Sequence, residues 1–259
     1  MSKSASSAEL RIIGIDGIPE VHPGDDLHQL VGDAIEANGN VLDDDDVLVV
    51  THKIISKSEG RLVDLRTVTP SPFAKKWAAD FDKDARQVEV VLNESKRIIR
   101  MDRGVLIAET RHGFVCANAG VDQSNVSAET VCLLPIDPDA SARAIRTALA
   151  ARFGMKSGPG IIVSDSFGRP WRAGIVNVAI GVAGLAPLAD YRGMSDAAGY
   201  ELHVSVLAVA DELAAAAELV MNKLDAIPVV LIRGYSPPTS TSHGSARDMV
   251  LDPARNLFP

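Results

Sequence analysis

Short apolar runs separated by polar turns make up most of the chain, and their spacing predicts the order of its elements. Leu10 to Ile15 reads as a strand, Gly17-Ile18-Pro19-Glu20 and Pro23-Gly24-Asp25-Asp26 as loop, and Leu27 to Ala37 as a helix with Leu30, Val31 and Ile35 on one face. Val47 to Thr51 predicts a second strand that runs into an extended polar segment, His52 to Arg61. Residues 71–86 have the amphipathic spacing of a single helix. Val88 to Val91, Ile98 to Met101, Val105 to Glu109 and Gly113 to Ala117 then read as four short strands.

Asp137-Pro138-Asp139 opens the clearest helix, because Asp is a good N-cap, Pro suits the first helical position, and Ile145, Leu149 and Phe153 share a face as far as Gly154. Ile161 to Val163 predicts a strand. Gly174 to Gly184 is a small-residue segment of undecided state, and Glu201 to Ala208 alternates only weakly. Asp211 to Lys223 is an alanine-rich helix and Pro228 to Ile232 a buried strand. Beyond Gly234, Ser, Thr, Pro and His dominate up to Asp248, which predicts a tail over 236–259, matched at the other end by a flexible N-terminus over 1–9. Strands and helices without a βαβ rhythm favour an α+β fold of mixed sheets over a doubly wound one.

Composition narrows the function. A 259-residue chain that is 46% hydrophobic can build a sizeable core. No apolar run approaches the ~20 residues of a membrane helix, and the Ser/Ala-rich start lacks the apolar centre of a signal peptide, so we expect no membrane contact and a cytoplasmic location. The net charge of −8, with 26 scattered Lys and Arg, argues against nucleic acid. Anionic small molecules stay open to an acidic protein if divalent cations mediate the contact. Cys116 and Cys132 have no CxxC partner and read as reduced, half-buried thiols. The acid run Asp43 to Asp46 reads as a solvated turn.

Two stretches carry candidate chemistry. Asn118 to Val126 sets Asp122, Gln123, Ser124 and Asn125 beside a glycine; Val163 to Arg172 ends an apolar run in Asp165, Ser166, Gly168 and two arginines. Hard cations such as Mg²⁺ take one or two protein carboxylates plus phosphate and water, which makes Asp122 and Asp165 the natural metal pair, with Ser166 adding an oxygen. Each aspartate also has a plain reading: Asp122 closing a turn, Asp165 capping the next segment. Lys53 and Lys57 fall on one face and face either solvent or an anion, with Glu59 partly neutralising Lys57. Arg169 and Arg172 suit phosphate clamping or stacking on Trp171 equally, and Tyr191, Arg192 and Asp196 form a further polar loop that could grip a substrate. The phosphate-binding patterns GxxxxGK[ST] and GxGxxG are absent, as is GxSxG.

Taken together, GIPE (17–20), VVTHKIISKSEGR (49–61), NAGVDQSNV (118–126), VSDSFGRPWRAG (163–174), DYRGMSDAAGYEL (190–202), ADELAAAAELVMNK (210–223) and PVVLIRG (228–234) resemble, in order, the GTP-dependent coenzyme F420-0:L-glutamate ligases. The resemblance implies a ligase domain over 10–235 and an α+β fold in two lobes, assembled as an intertwined homodimer. It implies GTP contacts from Ile18, Pro19, Glu20, Val21, His52, Lys57 and Asn125, with more from Glu218, Met221, Asn222 and Lys223. Asp122, Asp165 and Ser166 would hold Mg²⁺ or Mn²⁺, with K⁺ as a further candidate, and Lys57, Asp122 and Asp165 would be catalytic. His52 and Ser166 stand where Ser and Thr are expected, and Asn222 where glycine is usual. The implied partners are F420-0 and L-glutamate, joined through an acyl phosphate; some members carry a fused nitroreductase-like domain that is not in this sequence, which reads as the stand-alone form or as a chain cut near the linker. The rival readings are a metal-dependent kinase acting on another acceptor and a non-catalytic GTP sensor.

Overall fold

The computed structural model describes residues 9–237 and 243–256; the expected flexible N-terminus falls on residues of which 1–8 lie outside that range. Five strands form the central sheet in the order β1-β12-β2-β8-β9: β1 (Arg11–Ile15), β12 (Val229–Arg233), β2 (Val47–Thr51), β8 (Gly160–Arg169) and β9 (Arg172–Ala183). All neighbours are antiparallel except β2 and β8. One face packs on α1 (Leu27–Ala37), α2 (His52–Ser58) and α5 (Pro138–Arg152) through Val31, Ile35, Ile55, Ile145 and Leu149. The opposite face, through Val49, Ile162 and Val230, packs on α6 (Val209–Met221) with Leu213, Ala214 and Ala217. Strands covered on both faces carry apolar side chains in both directions, which is why Val47 to Val50 and Ile161 to Val163 are unbroken apolar runs.

A third apolar cluster forms on α3 (Pro72–Phe81), α4 (Ala85–Glu94), β5 (Val105–Thr110) and β7 (Thr130–Cys132), through Leu65, Val88, Val91, Leu106 and Val131. Beside it β4 (Ser95–Asp102), β5 and β6 (Val115–Ala117) form a three-stranded sheet, and β3 (Leu62–Asp64) pairs with β7. The remaining pair is β10 (Ala189–Asp190) with β11 (Val206–Leu207). The fold is thus mixed α and β.

Several elements depart from the sequence pattern. Val88 to Val91 is not a strand: Asp84 accepts a hydrogen bond from Arg86 N and starts α4, in which Val88 and Val91, three apart, bury on one face. The single helix expected over 71–86 is two, because the chain turns at Asp82 in the left-handed region (φ 53°). The segment after Thr51 is helical rather than extended; Lys53 and Lys57 still share a face, at the i,i+4 spacing. Gly174 to Gly184 resolves as most of β9, paired along β8 from Ile161↔Ala183 to Arg169↔Arg172. Asp46 is buried, not solvated, and takes two hydrogen bonds from Arg233 at 2.9 and 2.7 Å. Both cysteines are free and fully buried. In the expected tail, Ala246 is buried, with its N–H on Asp139; residues 238–242 and 257–259 lie outside the described range. No described helix is long and apolar enough to cross a membrane.

Candidate active site

The register of the central sheet places the site. Ile15, Val229, Val50 and Val163 lie in one row across β1, β12, β2 and β8. Beyond that row, at the same edge, the 16–21 loop leaves β1, Ile227 and Pro228 lead into β12, α2 starts directly after Thr51, and β8 continues past the end of β2 to Asp165 and Ser166, paired only with β9. Because β2 and β8 are parallel, both release their polar ends at this edge, the usual position of ligand clefts in sheets containing parallel strands. Val121 to Asn125 closes over it, tethered by the Asp122–Cys132 backbone pair.

These segments enclose a cleft of about 430 Å³. Its lining includes Ile18, Pro19, Glu20, Val21, Lys53, Lys57, Asp122, Asn125, Asp165, Ser166, Asn177, Glu218, Met221, Asn222 and Lys223. Of the nucleotide- and metal-binding residues that the family resemblance implies, His52 alone does not line it. That side chain is 1% exposed and sits behind Asp165, with Nε2 3.3 Å from Asp165 Oδ1. Arg169, Arg172, Tyr191, Arg192 and Asp196 are elsewhere: Arg169 and Arg172 face each other at the β8–β9 turn, and Arg192 forms hydrogen bonds with Asp190. Lys53 and Ser124, candidates from their stretches, stand at the cleft beside Asp122, whereas Asn177 was not singled out as a site residue. The Lys53–Lys57 spacing was the signal for Lys53, whereas Asn177 enters only through the register Ser166↔Asn177 between two long strands.

Each carboxylate in the cleft has a defined environment. Lys53 Nζ lies 2.6 Å from Asp122 Oδ2, and the N–H and hydroxyl of Ser124 donate to Asp122 at 2.7 and 2.8 Å. Lys53 also donates to the Ser124 hydroxyl. Burial pushes the Asp122 carboxyl up, but the hydrogen bonds from Lys53 and Ser124 outweigh it and hold the group below the ordinary carboxylate value. Lys57 Nζ, almost fully buried, reaches Glu20 Oε1 at 2.5 Å. Asp165 accepts from Ser166 N at 2.7 Å, Ser166 Oγ–H donates to Asn177 Oδ1 at 2.7 Å, and Asn177 N–H donates to Glu218 Oε2 at 2.8 Å. Asn125 and Asn222 take positive φ, 62° and 49°; at Asn222 ψ is 175°, a combination essentially confined to glycine.

Four carboxylates, Glu20, Asp122, Asp165 and Glu218, face three ammonium groups, Lys53, Lys57 and Lys223. With that balance side-chain charge alone does not hold a polyphosphate; added cations are needed. Among the described residues no three His, Cys, Asp or Glu side chains gather into a ready-made metal set. The oxygen donors of Asp122, Asp165 and Ser166 nevertheless fit a hard cation that draws its other ligands from phosphate and water. Since the Ser166 hydrogen is committed to Asn177, only lone pairs remain free on its oxygen.

Fold and cleft together define an enzyme-like polar cleft at the edge of a mixed sheet. Comparison with known proteins makes this specific. Residues 16–234 match the model of the F420-0:gamma-glutamyl ligase family, and the chain belongs to that family. It is 43% identical to the coenzyme F420:L-glutamate ligase of Methanopyrus kandleri, over 96% of this chain and 98% of the relative. It is 44% identical to that of Methanothermobacter thermautotrophicus, over the same shares, and 41% identical to that of Methanocaldococcus jannaschii, over 84% and 86%.

Proposed function

We propose that the protein is a GTP-dependent ligase that joins L-glutamate to the terminal carboxylate of coenzyme F420-0, in the biosynthesis of coenzyme F420. Membership of the family and the names of its relatives support the ligase reading. The convergence of the Asp122 loop, the Asp165 strand end and the α2 lysines in one cleft supports the nucleotide reading.

GTP lies with its phosphates over the α2 lysines, bounded by Ile18 to Val21 and Asn125 on one side and by Glu218 to Lys223 on the other. Asp122, Asp165 and Ser166 would hold Mg²⁺ or Mn²⁺, with K⁺ as a further candidate; a bound divalent cation neutralises phosphate oxygens and draws charge toward the leaving group. The F420-0 carboxylate attacks the γ-phosphorus, forming the acyl C–O–P bond and releasing GDP. The amine of L-glutamate then attacks the acyl carbon, the amide forms, phosphate leaves and the amine loses a proton. Lys53 and Lys57 lower the repulsion between carboxylate and triphosphate in the first step. A second cycle gives a γ-linked glutamate.

The third apolar cluster, with its own sheet, supports a two-lobed division. Exposed Ile175, Tyr200 and Val204 on and beyond the β8–β9 hairpin support a homodimer. Incubation with GTP, Mn²⁺, L-glutamate and F420-0, followed by mass spectrometry, tests the central reading. Glutamyl addition with matching GDP release, lost on omitting GTP or metal, is expected. GDP release independent of glutamate would favour a kinase, and GTP binding without turnover a sensor.

A further inference from the structure

His52 opens α2 immediately after β2 and is buried to 1% exposure, although an imidazole in that position has a polar edge on each side. Its Nδ1 lies 3.2 Å from Ser56 Oγ, one helical turn on. Its Nε2 is buried without a hydrogen-bond partner, and the Asp165 carboxylate stands beside it, Oδ1 at the ion-pair distance of 3.3 Å. Because a carboxylate only accepts, the tautomer that suits this neighbour has the proton on Nε2, with Nδ1 accepting from the Ser56 hydroxyl. Next to Ser56 stands the Cys132 thiol, whose pKa burial raises and the Ser56 side chain partly offsets. Cys132 is the residue whose backbone N–H and C=O pair with those of Asp122, at 2.7 and 3.0 Å. A buried polar chain therefore runs behind the cleft from Asp165, through His52, Ser56 and Cys132, to the strand that fixes Asp122.

We infer that His52 is a positioning residue: it holds Asp165 by Nε2 and, through Ser56 and Cys132, sets Asp165 against Asp122 for binding a divalent cation. The inference rests on the metal reading proposed above and deepens it. Asp165 projects from β8 beyond the end of β2, where no adjacent strand on that side constrains it. Asp122 comes from a different part of the fold, so nothing in the sheet ladder fixes their spacing. A carboxylate free to rotate loses affinity for a cation that accepts a narrow range of ligand geometries; a buried imidazole set against it restricts that freedom.

Two substitutions separate this role from simple packing. Gln places its amide nitrogen where Nε2 stands and reaches Asp165, whereas Asn places it where Nδ1 stands and reaches only Ser56. Mn²⁺ binding to the purified protein, with and without a non-hydrolysable GTP analogue, is read by electron paramagnetic resonance of free Mn²⁺, and melting temperature is measured alongside. We expect His52→Asn to weaken Mn²⁺ binding about 10- to 100-fold, and His52→Gln to recover most of the affinity. Metal-free binding of the analogue stays unchanged in both. Parent-like Mn²⁺ affinity in His52→Asn overturns the inference, as does an equal loss in both variants at unchanged melting temperature. Should neither variant fold, Ser56→Ala, which deletes one hydroxyl, carries the test: a measurable loss supports the relay and an unchanged affinity overturns it. Absence of Mn²⁺ binding by the parent protein overturns the metal reading and this inference together, whereas parent binding with an unaffected His52→Asn overturns this inference alone.

Discussion

Lys57 is the group on which the nucleotide reading makes its most quantitative demand. Its ammonium is 7% exposed, while its partner Glu20 is 67% exposed. If the pair were structural, losing the lysine would strand an acid already in water, at little cost. If the ammonium is instead the floor of a phosphate site, losing it removes a cation from a place where water screens poorly. Lys57→Met keeps the length and apolar stem of the side chain and deletes the charge. A hydrogen bond to a charged group contributes about 1.5–3 kcal/mol, within the ~4 kcal/mol that two unit charges share at ~4 Å and an effective dielectric of ~20. At about 1.4 kcal/mol per decade, affinity for GTP with Mg²⁺ should fall about 10- to 100-fold. The melting temperature should move by no more than about 2–4 °C, the shift equivalent to ~1 kcal/mol in a chain of this size. Calorimetric titration with a non-hydrolysable GTP analogue, paired with a thermal melt, reads both. A dissociation constant within twofold of the parent would refute the assignment of Lys57 to phosphate, and a large loss of stability with unchanged affinity would make it a packing residue.

Asp122→Ala and Asp165→Ala should each abolish glutamyl transfer with the far-ultraviolet circular dichroism intact; near-normal turnover in either would sink the metal assignment. Burial raises the Asp211 carboxyl, partly offset by the Ala179 N–H it accepts. A raised acid destabilises the fold when ionised at neutral pH and ceases to do so as pH falls below its folded value. Asp211→Asn should therefore melt higher than the parent at pH 8, by a margin that shrinks toward pH 5; a constant margin would refute the burial argument. Burial first, and then the nearby Asp165 charge, push the Cys116 thiol up to about 12, and Cys132 is raised by burial as well. Neither should react with a thiol-specific disulfide reagent at pH 8 until the protein unfolds; rapid reaction of the native protein would show that the cleft opens to this depth.

Helices announced by their caps were legible in the sequence. Asp137 and the Pro138 after it fix α5 where the pattern placed it, while α1 was legible from the shared face of Leu30, Val31 and Ile35. Strands covered on both faces were equally plain, as with Val47 to Val50. The pattern failed where packing overrides propensity: Val88, Val90 and Val91 favour a strand by residue type, yet their neighbours supply a cap and a helical face. It failed again in β8 and β9, whose distal halves carry Ser, Asp, Gly and Arg as they run out of the layered core as a hairpin. The cleft residues were legible as motifs, since polar side chains at strand ends have no core to serve. Asn177 and Ser56 were not, because their importance lies in which side chains they meet across the fold, and a single sequence contains no record of those meetings.

The parallel β2–β8 pair also governs when the molecule becomes competent. Thr51 lies opposite Ser164, a closure spanning on the order of a hundred residues, and long-range pairings of this kind form late in folding because their loop entropy is met before their contacts accrue. Everything that completes the cleft depends on that closure: α2 on one side of it, Asp165 on the other, and Asp122 on the long excursion between. A nascent or partly folded chain would thus hold its lysines and its aspartates apart, and the activity proposed for the cleft would switch on only once this pairing has formed.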